Sequence, residues 1–309
     1  MTTWPDALER LRGTLGLWTA SLDAQTPEAS QGVAREIESL GYAALWIPEA
    51  WGREALTHAA LLLAGTHELV VATGIANIWA RDAVSATNAA RTLTSFSHER
   101  FVLGLGVSHR PLVERLRGHD YDHPLATMRD YLTAMDNVPM FAAEHEASAP
   151  RVLAALGPKM LELARDHGDG ALTYLVTAEH THTARGLLGE KFLGVELSVV
   201  LGESREEFLR RGHAHLEFYT GLPNYQESWR RLGFGDEDFV RGGSQRLVDA
   251  IVVHGDAEAI ESRVREHRDA GADHVCLQVL GEEMARVPLT QWGDLAPTRE
   301  VRRESNRRR

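Results

Sequence analysis

Apolar residues along this chain fall into two alternating patterns. Short, nearly continuous apolar runs lie at 15–19, 43–47, 69–73, 101–106, 151–155, 170–175, 195–201 and 274–280. Runs of this length, without polar alternation, predict strands buried on both faces. Between most of them apolar residues recur every three or four positions, the spacing of helices with one buried face. The first helix is well marked. Thr26 is placed to cap it, Pro27 fits its first turn, Val33, Ile37 and Leu40 form its apolar face, and Gly41 ends it. Further helices are predicted over 57–64, 84–96, 111–116, 128–135, 157–164, 179–188, 204–219, 247–253 and 257–270. Ser244 and Asp256 are candidate caps for the last two.

Eight buried strands separated by helices predict an α/β protein with a parallel sheet closed into a (β/α)8 barrel. The most regular stretch is 69–110, a βαβ unit in which each strand breaks at glycine, Gly74 or Gly106. The alternation is interrupted after strands four and seven, where insertions are expected, and 136–150 is assigned as an insertion or lid. With no repeat or linker in view, 1–309 reads as a single barrel domain, with about 1–12 and 297–309 as terminal extensions.

Composition adds limits. The chain has 309 residues, 43% hydrophobic and 25% charged, enough for a packed core. Its net charge of −11 points away from nucleic acid and anionic membranes. The basic cluster Arg302, Arg303, Arg307, Arg308 and Arg309 reads as a solvated terminus. One cysteine, Cys276, allows no internal disulfide and sits in an apolar run as a small hydrophobe. No apolar leader follows Met1, and no run reaches the ~20 residues of a membrane span. A cytoplasmic enzyme acting on a small molecule is the expectation.

In such barrels the chemistry sits where strands end. Gly157, Pro158, Lys159 and Met160 open a helix after the fifth strand, a place where free N–H groups attract an anion, or simply an ordinary proline start. Gly74, Ile75, Ala76 and Asn77 end the third strand as a bulge aimed at the barrel mouth or as a plain turn. Arg81 and Asp82 beyond it are a ligand clamp or a surface pair. Glu49 and His109 follow strands two and four, and either could act as acid or base or be structural. Trp51, Trp79 and Tyr174 also lie at strand ends, where they could wall a flat ring or fill core. His180 and His182, two apart, do not share a helix face, and no metal motif is present, so no metal site is expected. Gly104-Leu105-Gly106 lacks the third glycine of a dinucleotide-binding turn.

Four stretches carry a resemblance: 45–49 (Leu-Trp-Ile-Pro-Glu), 72–81 (Ala-Thr-Gly-Ile-Ala-Asn-Ile-Trp-Ala-Arg), 100–109 (Arg-Phe-Val-Leu-Gly-Leu-Gly-Val-Ser-His) and 155–160 (Ala-Leu-Gly-Pro-Lys-Met). Together they resemble the luciferase-like monooxygenase superfamily, and within it the branch that depends on the deazaflavin coenzyme F420, including a group of actinobacterial F420-dependent oxidoreductases. The resemblance spans roughly 15–295. It implies a barrel with the deazaflavin at its carboxyl face and a non-proline cis peptide, here Gly74–Ile75, behind the ring. It places Ala76 and Asn77 beside the ring, Val107 and Ser108 beside the ribityl chain or ring, and Leu156, Gly157, Pro158, Lys159 and Met160 beside the cofactor tail; Tyr174 joins the cofactor-binding set. Glu49 takes the position of a strand-two acid that contacts the cofactor, and His109 that of a catalytic acid after strand four. A homodimer is also implied.

Sugar-phosphate dehydrogenases of this branch carry a histidine directly after the strand-two acid, and this chain has Ala50. The implied reaction is therefore hydride transfer from reduced F420 to a C=C, C=N or C=O acceptor, with His109 as proton source. Alternatives are an FMN-dependent monooxygenase on the same fold, a non-catalytic flavin- or ligand-binding barrel, and a redox-silent isomerase or lyase using Gly157 to Lys159 for phosphate.

Overall fold

A computed structural model describes residues 4–140 and 148–297. Its strands are β1 (Thr14–Trp18), β2 (Ala44–Ile47), β3 (Val70–Thr73), β4 (Ala76–Asn77), β5 (Phe101–Gly106), β6 (Arg151–Ala154), β7 (Gly170–Thr173), β8 (Phe192–Leu201), β9 (Val253–Gly255) and β10 (His274–Val279). Eight of them close a parallel ring in the order β1, β2, β3, β5, β6, β7, β8, β10, since β10 pairs with both β8 and β1. The expected (β/α)8 barrel is thus the observed fold. β4 continues β3 along β5, and β9 adds to the outer edge of β8. The long connections after β5 and β8 are the expected insertions.

Strand parity divides the core in two. Trp18, Ala44, Trp46, Val70, Ala72, Val102, Val152, Leu172, Phe192 and Cys276 pack together inside the barrel. Their chain neighbours, such as Leu45, Val71, Leu103, Leu153 and Val195, face outward onto the helices. Residues 4–12 do more than extend the chain. The short helix Asp6–Glu9 brings Ala7, Leu8 and Leu11 against the barrel interior. There Trp46 Nε1 donates to His274 Nε2 (3.2 Å), which leaves Nδ1 to donate to the Thr14 hydroxyl at 3.0 Å. Burial holds His274 neutral, its pKa pulled down to about 3.

The caps expected at Thr26, Ser244 and Asp256 form, and Gly41 takes the left-handed conformation (φ 88°). Several boundaries differ: the helix expected over 128–135 already begins at Pro124, and three further differences lie around β8. The helix expected over 204–219 ends at Leu216 and a 3-10 turn follows, Tyr219–Gly221. The helix expected to reach 253 stops at Ile251, because Val253 to Gly255 pair with β8. β8 begins at Phe192, where it meets Gly170. Long-range pairing overrides local propensity in the last two cases. The basic tail and the centre of the 136–150 stretch fall outside the described residues.

Candidate active site

The carboxyl end of the barrel is a mouth that solvent reaches. Inward-facing Trp46, Ala72, Val102, Val152 and Cys276 are buried, whereas Gly74, Ile75, Ala154, Tyr174 and Gln278, nearer the strand ends, are partly exposed. The wall on one side is a bulge. Ala72 pairs with Val102 and Ala76 with Leu105, so four steps on β3–β4 oppose three on β5. The peptide Gly74–Ile75 within it is cis. The bulge is held from several directions: Trp18 Nε1 donates to Gly74 O (2.7 Å), Gly74 N–H to Ile47 O (2.7 Å), and the Thr73 hydroxyl to Gly104 O (2.7 Å).

Gly104 and Gly106 are the seat of this bulge. A Cβ on Gly104 would lie 1.8 Å from Thr73 O, and one on Gly106 would lie 2.5 Å from Ile75 Cδ1. Close backbone approach, rather than a phosphate turn, accounts for the Gly-x-Gly spacing.

Glu49 supports the bulge from outside the mouth. It is 7% exposed, and its oxygens accept from Asn77 N–H (2.7 Å), Ala55 N–H (3.3 Å) and Arg81. Arg81 also pairs with Glu54, while Asp82 caps the helix Ala83–Phe96, so neither forms a clamp over the mouth. Both oxygens of Glu49, the acid expected to contact the cofactor, are thus bonded to groups of the protein. Ala76 and Asn77 are buried as well, and Asn77 Oδ1 accepts from Trp79 N–H at 3.0 Å.

Val107, Ser108 and His109 leave β5 at the mouth, all partly exposed. Ser108 is left-handed (φ 57°), and the Tyr121 hydroxyl donates to its carbonyl at 3.0 Å. His109 is ringed by Phe218, Tyr219 and Tyr225 at 5.6, 6.3 and 5.8 Å between centroids, and its Nδ1 is buried without a partner. Desolvation lowers its pKa to about 4. It is therefore a neutral imidazole near pH 7, which can pass a proton on but holds no extra one of its own.

Tyr174 forms the floor beside Trp18 (5.5 Å), donating to Gln278 Oε1 at 2.7 Å and accepting from the Tyr219 hydroxyl at 3.3 Å. Opposite, Gly157 opens the helix Pro158–His167 without a side-chain cap. Leu156 O accepts from His180 Nε2 (2.9 Å) and Arg231 (3.4 Å). Gly157, Leu156 and Met160 are partly exposed, and Pro158 and Lys159 are exposed. Trp51 is 69% exposed, away from any packed wall. Among the described residues no group of three His, Cys, Asp or Glu could hold a metal ion.

Several residues at or below the mouth were not anticipated: Trp18, Glu196, Ser198, His215, Tyr219 and Gln278. Two had a visible signal. Glu196 and Ser198 are polar at alternate positions of an otherwise apolar run, which in a parallel strand marks the inward face. His215 and Tyr219 come from the insertion after β8, whose path no periodicity gives.

The fold and this site define a barrel enzyme with a braced bulge in its mouth, and sequence comparison agrees. The family model of the luciferase-like monooxygenases matches residues 14–274, and the chain belongs to that family of enzymes. Among its relatives is a Mycobacterium tuberculosis protein, 29% identical over 88% of this chain and 96% of its own, whose name assigns it provisionally as a coenzyme F420-dependent oxidoreductase. In fold it is similar to the coenzyme F420-dependent tetrahydromethanopterin reductase of Methanopyrus kandleri (TM-score 0.68, 15% identity, 92% of this chain and 98% of that one). It is also similar to the oxygenating constituent of the Pseudomonas putida 3,6-diketocamphane monooxygenase, solved with FMN (TM-score 0.67, 12% identity, 92% and 95%).

Proposed function

We propose that this chain is an F420-dependent oxidoreductase that reduces a C=C, C=N or C=O bond of a small organic acceptor. The observation that carries the reading is the braced bulge, with Ile75 partly exposed at the mouth and Gly106 leaving room for its side chain. The site suits a flat ring: Ile75, Ala154, Val107 and Tyr174 offer apolar surface, while Gln278, Ser108 and His109 offer polar atoms. The uncapped helix start at Gly157, with Lys159 and Arg231 nearby, suits an anionic tail. The mycobacterial relative, matched almost end to end, supports F420 over FMN.

When bound, the deazaflavin would supply a hydride. The protein's part is positioning: the bulge sets the ring's depth, Trp18 and Glu49 hold the bulge, and the aromatic wall of Tyr174, Tyr219 and Tyr225 keeps water from the acceptor. A homodimer and a cytoplasmic setting belong to the same proposal. The test is anaerobic oxidation of reduced F420 against a panel of enals, imines and ketones. The reading requires acceptor-dependent oxidation; oxygen uptake with reduced FMN, and none with F420, would favour the monooxygenase alternative.

A further inference from the structure

Resting on that functional reading, a second feature of the barrel concerns the proton that must accompany the hydride. Glu196 lies on β8 inside the barrel, paired in register with Cys276 and 1% exposed. Its Oε2 accepts from Leu175 N–H (3.2 Å) and its Oε1 is 2.7 Å from the Ser198 hydroxyl. Ser198, one inward position nearer the mouth, is also 3.1 Å from His215 Nε2. His215 comes from the helix Arg205–Leu216, is partly exposed, and leans on Tyr174 and Tyr219 with centroids at 6.4 and 5.6 Å. Three exchangeable groups therefore stand in hydrogen-bonding sequence from the closed interior to the solvent-reached mouth.

We propose that the Glu196–Ser198–His215 line is a proton wire, with the Glu196 carboxyl as its store and His215 as its outlet. The hydroxyl between two titratable groups can be polarised either way. With Glu196 protonated, its O–H donates to Ser198 and Ser198 donates to His215 Nε2. With Glu196 ionised, His215 Nε2–H donates to Ser198 and Ser198 donates to the carboxylate. In the step, the acceptor's double bond takes a hydride at one atom and a proton at the other. His215 releases the proton from Nδ1 and takes one from Ser198 on Nε2, and Ser198 takes the carboxyl proton. The acceptor is reduced, the deazaflavin is oxidised, and Glu196 is left a carboxylate. A solvent proton arriving at Nδ1 resets the line.

The surroundings suit a store. Glu196 is faced by the Ser198 hydroxyl on its own strand, Tyr174 and Leu175 N–H from the two residues after β7, Cys276 from β10, and Tyr219 and Tyr225 from the insertion. All of these are neutral near pH 7, as is His215, whose pKa burial lowers to about 4. Burial raises the carboxyl to about 7, where a proton is both held and released at working pH. A carboxyl kept only to receive Leu175 N–H would not need the serine and histidine.

The full chain, without cofactor, should show in the infrared the C=O band of a protonated carboxylic acid that fades with a midpoint near pH 7. E196Q should abolish the band, and S198A should retain it. With F420 bound, both variants should bind the cofactor as the wild type does but turn over about 10²-fold more slowly. The wild-type rate should fall as pH rises through about 7, and E196Q should lose that limb. Should E196Q fail to fold, S198A still breaks the line. Wild-type turnover in S198A, or a Glu196 carboxyl ionised throughout the acid range, would overturn the wire. Failure of the wild type to bind F420 would overturn the functional reading, and the cofactor-free infrared titration would still decide the store.

Discussion

His109 and Glu49 show how neighbours reassign a side chain. Both follow strands whose ends line a barrel mouth, and both are residue types that move protons, so sequence marks them as acid or base. The structure surrounds His109 with three aromatic rings from the insertion after β8 and leaves it neutral. It gives both oxygens of Glu49 to backbone N–H groups and Arg81. If His109 is a neutral wall group, H109Q, which keeps an N–H donor and cannot titrate, should show the same pH dependence of turnover as wild type between about pH 5 and 8. Loss of a limb near pH 6.5, where a free histidine titrates, would show that His109 does exchange protons. Residue type and strand-end position were legible; the distant aromatic ring that sets the protonation was not.

At the scale of the element, the bulge is the feature from which the site is built. Its position was legible because Gly74 breaks an apolar strand. Its partner was not, since two glycines in the next strand look like a failed dinucleotide turn until their distances to Thr73 and Ile75 are seen. The two should differ when filled. G104A drives a methyl into backbone oxygen, whereas G106A meets the end of a side chain that can turn aside. Denaturant unfolding should therefore find G104A much the more destabilised, and G106A close to wild type in stability but weakened in F420 binding. Equal stability losses would mean that the bulge yields. E49A leaves the buried N–H of Asn77 and that of Ala55 without their acceptor, at about 1–3 kcal/mol each. Chemical denaturation that finds E49A as stable as wild type would contradict its positioning role.

Across the whole molecule, the alternation of apolar runs and amphipathic helices was enough to predict the ring of eight strands, because a parallel strand buried on both faces has a distinctive composition. The exceptions lie in the insertion after β8, where β9 and the aromatic wall depend on contacts far apart in sequence. The core also sets a pH dependence. His58, His109, His215 and His267 are lowered to about 4 and His274 to about 3, each chiefly by burial. Unfolding frees them to bind protons near pH 6.5, so the unfolded chain takes up more protons and stability falls as pH drops from about 6.5 toward 4. Glu196, raised to about 7, works in the opposite sense, losing stability as pH rises from 4.5 to about 7, as do Asp23 and Asp273, also raised by burial, but with His180 likewise lowered they are three groups against six. Thermal melts should give a lower Tm at about pH 5 than at about pH 7; an unchanged or higher Tm would mean that these histidines are not held neutral.

The central claim is that the mouth beside Ile75 receives a deazaflavin. Its most direct measurement is a fluorescence titration of the purified chain with F420 and, separately, with FMN. Saturable binding of F420 at micromolar concentration, one per chain and weakened by G106A, is the predicted result. Tight binding of FMN with none of F420, or binding of neither, would contradict it.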